Sequence, residues 1–72
     1  MTTRPPLPVK IIKREIREMV KSGEVSHNTV RGRLGRKYPK YELTRDNFIA
    51  ALQDLVNARE IHDVGHRLRV AD

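Results

Sequence analysis

The stretch Glu60 to Val70, "EIHDVGHRLRV", decides how this chain folds, because its periodicity breaks with everything before it. Apolar and polar residues alternate, with Ile61 on one side of a turn and Leu68 and Val70 on the other. A period of two belongs to a strand, whose successive side chains point to opposite faces. Asp63-Val64-Gly65-His66 carries turn chemistry, with Asp first and Gly third. The stretch predicts a β-hairpin with an apolar inner face.

Upstream of the hairpin the period is helical. From Pro8 to Ser22, Val9, Ile12, Ile16, Met19 and Val20 fall on one face, and Gly23 suits the left-handed residue that ends a helix. Pro8 fits the first helical position. Glu24-Val25-Ser26 is long enough only for a brief extended segment that pairs elsewhere, and Ser26 is a good N-cap for a second helix. From His27 to about Tyr38, Val30, Leu34 and Tyr38 form an apolar stripe. Pro39 stops it by forcing the residue before it out of helical geometry. Pro39 to Leu43 reads as a loop. Thr44 caps a third helix running to Ala58, with Phe48, Ile49, Leu52, Leu55 and Val56 on its apolar face. Each stripe must be buried against another element. Three stripes plus Val25, Ile61, Leu68 and Val70 supply one core. Residues 1–7 contain two prolines and no periodicity and read as a disordered arm; residues 8–72 form the domain.

The resulting fold class is mainly α with a small β-hairpin. The order of helix, short strand, helix, helix, strand, turn, strand resembles the winged-helix variant of the helix-turn-helix, a three-helix core closed by a small sheet whose hairpin is the wing. The resemblance covers Pro8 to Val70 and rests on element order and lengths. It implies a DNA-binding domain in which the third helix enters the major groove and the wing reaches an adjacent groove or the backbone. The expected location is the cytoplasm or the nucleoid.

The bulk composition agrees with an acidic partner. Seventy-two residues permit one small domain. Fifteen Lys and Arg against nine Asp and Glu give a net charge of +6, which favours a polyanion and nucleic acid first. No apolar run approaches the roughly 20 residues of a membrane span, so no membrane role is expected. There is no Cys, hence no disulfide, thiolate metal site or Cys nucleophile.

The charge is uneven. Pro8 to Ser22 has five basic and two acidic residues, as does Gly23 to Leu43, whereas the third helix has one basic residue against two acidic. Lys10, Arg14, Arg17 and Lys21 are spaced four, three and four apart and share one helix face, with Glu18 placed to pair with Arg14 or Lys21. This stripe suits a phosphate backbone or an acidic protein. Arg31, Arg33 and Arg36 lie off the stripe of the second helix; Gly32 and Gly35 beside them allow either a close approach or simply a weak helix. Arg31-Gly32-Arg33 resembles the core of an AT-hook, but Val30 and Leu34 stand where that extended motif has prolines. Arg36, Lys37, Lys40 and Arg45 precede or open the third helix, where phosphates also meet free backbone N–H groups. On that helix the outward face is expected to carry Asp46, Asn47, Ala50, Ala51, Gln53, Asp54 and Asn57. Asn47, Gln53 and Asn57 can pair with adenine edges and Ala with a thymine methyl, while Asp46 and Asp54 would repel phosphates. On the wing, Arg67 and Arg69 are placed to touch phosphates.

Double-stranded DNA is thus the expected partner, with the chain acting as a transcriptional regulator or accessory factor. A homodimer or protein-interaction module seamed by Ala50 and Ala51, and a small RNA-binding domain, are the alternatives. No small-molecule substrate, cofactor or catalysis is expected. The chain has no Gly-rich phosphate loop and no Ser/His/Asp or paired-carboxylate constellation. His62 and His66 straddle the hairpin turn with His27 distant in sequence, so no metal site is expected.

Overall fold

The computed structural model describes residues 3–71. It contains α1 (Val9–Lys21), β1 (Val25–Ser26), α2 (His27–Lys37), α3 (Arg45–Asn57), β2 (Ile61–Val64) and β3 (Arg67–Val70). The chain is mainly helical, with three helices and a three-stranded antiparallel sheet in the layout of a helix-turn-helix with a wing. No helix is long and apolar enough to cross a membrane among the described residues.

Local chemistry sets the boundaries. Pro8 is extended and serves as the N-cap of α1, one residue earlier than its expected place inside the helix. Gly23 follows α1 at φ 135°, a conformation that side-chain-bearing residues avoid. The Ser26 hydroxyl accepts from the Thr29 N–H at the start of α2, and the Thr44 hydroxyl accepts from the Asn47 N–H at the start of α3. Tyr38, before Pro39, leaves helical geometry at φ −123°, ψ 64°. Beyond α3, Arg59 adopts φ 60° while Glu60 N–H donates to Leu55 O and Arg59 N–H to Val56 O. These paired bonds close the helix in a Schellman motif, with Arg where Gly is usual.

The wing turns one residue later than expected. Val64 pairs with Arg67, so the central turn residues are Gly65 and His66, at φ 59° and 63°. Two left-handed central residues match the twist of a tight two-residue hairpin, and Gly65 supplies the first without strain. β3 lies in the middle of the sheet, with Val25 opposite Leu68 on one side and Asp63 opposite Leu68 on the other.

The core gathers Ile12, Ile16, Met19, Val20, Val30, Leu34, Phe48, Leu52, Leu55, Ile61 and Leu68, with Val9, Val25 and Tyr38 packed against it. Four expected placements are corrected. Ile49, Val56 and Val70 are 36%, 39% and 45% exposed, and Ala51 is fully buried. In α3 the stripe is rotated toward the small residue, because α1 packs close against this helix and Ala51 permits that approach. Val70 ends the sheet, beyond the cover of the helices.

The arm is placed differently as well. Leu7 is 1% exposed. Its N–H donates to Glu42 O at 2.8 Å, Glu42 N–H donates to Pro5 O at 2.8 Å, and the Asn47 side-chain amide donates to Leu7 O at 3.0 Å. Arg4 adds a bond to Pro39 O. Residues 4–7 are therefore part of the domain, held by a short parallel bridge to the α2–α3 loop. Met1 and Thr2, also assigned to the arm, lie outside the described residues.

Leu7→Ala is expected to lower unfolding stability by about 2–4 kcal/mol, the range for truncating a buried leucine, as read by chemical denaturation. A methyl group added at Gly35 meets nothing within 4 Å. Gly35→Ala is therefore expected to raise stability by about 0.5–1 kcal/mol in the same assay, through helix propensity alone.

Candidate nucleic-acid interface

The basic residues identified in the sequence sort into engaged and free groups. Arg17 makes a two-pronged bond to Glu60, Nε to Oε1 at 2.8 Å and Nη2 to Oε2 at 3.0 Å. The paired geometry fixes the guanidinium against the residue that leads into β2. Lys21 pairs with Glu18 at 3.2 Å. The expected four-residue stripe on α1 is thereby reduced to Lys10 and Arg14 as cations without a carboxylate partner among the described residues.

Lys37 is also engaged. Its ammonium donates to both oxygens of Glu15, at 2.9 and 3.0 Å, and the Tyr38 hydroxyl donates to the same carboxylate at 2.9 Å. The Glu15 side chain is only 7% exposed. Burial pushes the Glu15 carboxyl up, but bonds from Lys37 and Tyr38, with the charges of Lys37 and Arg14, outweigh it and hold the group below its ordinary range. This cluster ties α1 to the end of α2, a fixing role for Lys37 that the sequence does not reveal.

Arg31 and Arg45 have no carboxylate partner among the described residues. Both line a cleft of about 510 Å³ with Ser26, His27, Asn28, Phe48, Ile49, Leu52 and His66. The first turns of α2 and α3 form its walls and the wing turn closes one end. The Arg31 guanidinium sits 4.7 Å over the Phe48 ring, which fixes it at the mouth while leaving its N–H groups free. The expected grouping of Arg36, Lys37, Lys40 and Arg45 at the foot of α3 is not what the fold assembles. Arg33, Arg36 and Lys37 lie together with Thr29 on another side of α2, and Arg36 bonds back to Gly32 O at 3.3 Å. Lys40 is exposed in the loop.

The α3 surface differs from expectation at two positions, while Asp46 stays exposed in its first turn beside Arg45. Asp54 turns toward α1 and pairs with Lys13 at 3.6 Å. Asn47 is committed to Leu7 O, leaving Gln53 and Asn57 as the exposed amides. On the wing, Arg67 lies 3.8 Å from Glu24, and Arg69, opposite His62, is exposed.

Sequence reasoning missed His27 and Asn28. The signal lay in strand register: matching Val25 to Leu68 sets Ser26 opposite Arg67 and carries His27 to the wing turn, where its N–H donates to His66 O at 2.9 Å. Pairing apolar residues across the sheet would have found it.

Glu15 provides a pH test. A carboxyl held low in the folded state contributes stability above its unfolded value, and that stability is lost as pH falls through the folded value. The protein is expected to lose stability as pH drops below the ordinary value of 4.5. Glu15→Gln should be less stable at pH 7 and should show a shallower acid loss in denaturation curves run across that window.

Comparison of this chain with protein-family models, with curated proteins and with solved structures finds no match.

Proposed function

We propose that this chain is a winged-helix DNA-binding protein that grips duplex DNA along the cleft between the first turns of α2 and α3 and the wing, and acts as a transcriptional regulator or accessory factor. One observation carries the reading: Arg31 and Arg45 open together onto the cleft, without a carboxylate partner among the described residues, while Arg17, Lys21 and Lys37 are engaged with carboxylates. Free guanidinium groups beside a helix start are phosphate donors, and each phosphate neutralised releases counterions. Gln53 and Asn57 on α3 are the amides left for base edges. Lys10, Arg14, Arg33, Lys40 and Arg69 add long-range attraction. In this role the protein needs no cofactor and performs no catalysis.

Titration of a fluorescent duplex tests the reading. Affinity should fall steeply with salt, and Arg31→Ala and Arg45→Ala should each lower the log–log salt slope by about one. Arg17→Ala should leave the slope unchanged. No duplex binding at low salt would defeat the proposal, and preference for single-stranded or duplex RNA in competition would move it to RNA.

A second reading rests on Ile49 and Val56, which leave an apolar strip exposed on α3. It replaces the Ala50–Ala51 seam expected from sequence, since Ala51 is buried. A dimer in light scattering that Val56→Asp dissociates, in a protein without duplex affinity, would favour protein association instead.

A further inference from the structure

The fold brings together two histidines that are 39 positions apart in sequence. His27 Nδ1 and His66 Nδ1 lie 3.5 Å apart, with ring centroids at 5.0 Å and planes at 88°. On its far side, His27 Nε2 lies 2.9 Å from Asp63 Oδ1. A neutral His27 therefore donates its Nε2 proton to Asp63 and turns the Nδ1 lone pair toward His66. The separation is long for a hydrogen bond, whose nitrogen donors usually sit within about 3.2 Å of their acceptors. It matches two imidazoles on one tetrahedral ion, whose nitrogens at about 2.0–2.1 Å from the metal stand about 3.4 Å apart.

The two residues are joined through the backbone, and the His27 ring is held by packing. The His27 N–H to His66 O bond joins the first residue of α2 to the wing turn. His66 is exposed and takes a left-handed backbone at φ 63° in the tight turn, while the His27 side chain is only 17% exposed, its ring edge-on to Phe48 at 5.7 Å. A carboxylate on the far nitrogen of a histidine sets its tautomer and raises its basicity as a ligand.

From this geometry we infer that His27 and His66 form a two-nitrogen site for a divalent transition-metal ion of the zinc class, with Asp63 orienting His27 from outside the coordination sphere. No group of three protein ligands exists among the described residues. Water completes the coordination, and the open cleft beside His66 gives it access. His62, on the other side of the hairpin turn from His66 in the sequence, takes no part: it stands opposite Arg69 and is exposed. The site clips the wing to α2, and because His27 and His66 also line the cleft, its zinc titration is run without DNA so that failure here and failure of DNA binding are read separately.

Zinc titration of the full chain, followed by calorimetry and by imidazole and amide NMR signals, tests this. The expected result is saturable one-to-one binding, with shifts confined to His27, His66 and their neighbours. His27→Gln and His66→Gln should each weaken binding about tenfold or more, Asp63→Asn by about 10–100-fold, and His62→Gln should leave it unchanged. The thermal midpoint of the parent should rise with zinc and that of His66→Gln should not. Amide spectra of each variant establish that it is folded. His66→Gln lies on an exposed turn, so it keeps the test decisive if His27→Gln unfolds. Absence of saturable binding, or equal binding by parent and His66→Gln, would overturn the proposal.

Discussion

The two-residue pairing of β1 with β3 organises this protein. Val25 opposite Leu68 and Ser26 opposite Arg67 are a minimal ladder, yet they lock the hairpin to the middle of the helical body. Leu68 is fully buried, and its strand joins β1 on one side and β2 on the other. Because Ser26 is also the N-cap of α2, the ladder fixes where α2 begins and how it leaves the sheet. The cleft exists because of that junction: shifting the register by one residue would turn Leu68 to solvent and carry His27 away from the wing turn.

Around this junction, internal pairing decides which polar groups face outward. Glu15 is the one buried charged residue among those described. A carboxylate removed from water needs full compensation, and Lys37 and Tyr38 provide it. The arrangement pairs Lys37 with a carboxylate while its side chain stays about half exposed, and Glu60 does the same for Arg17. A chain with a charge of +6 does not present all of its cations equally. Among the described residues, Arg31 and Arg45 are left as free guanidinium groups near the starts of α2 and α3.

Much of the fold was legible in the sequence because its signals are local. Gly23, the caps Ser26 and Thr44, and Pro39 place the helix ends to within about a residue, each through a backbone constraint carried by one side chain. The hairpin announced itself by period, and Gly65 located its turn to within one residue. What escaped was non-local. Leu7 looks like part of a proline-rich tail until Glu42 and Asn47, far along the chain, accept and donate its backbone bonds. Ala51 was misplaced because a helix stripe read by hydrophobicity favours Ile49 and Val56, whereas close packing with α1 favours the small residue. The site residues divide the same way: charge type was readable, but which cations are neutralised depends on contacts such as Arg17 to Glu60, 43 positions apart.

The central claim is that the cleft between α2, α3 and the wing is the face that meets a nucleic acid. Mapping backbone amide shifts during titration with a short duplex tests it most directly. The account predicts the largest changes at Asn28, Arg31, Arg45, Ile49 and His66. Changes concentrated instead at Lys10 and Arg14 on α1, or at Arg33 and Arg36 on the far side of α2, with the cleft silent, would contradict it.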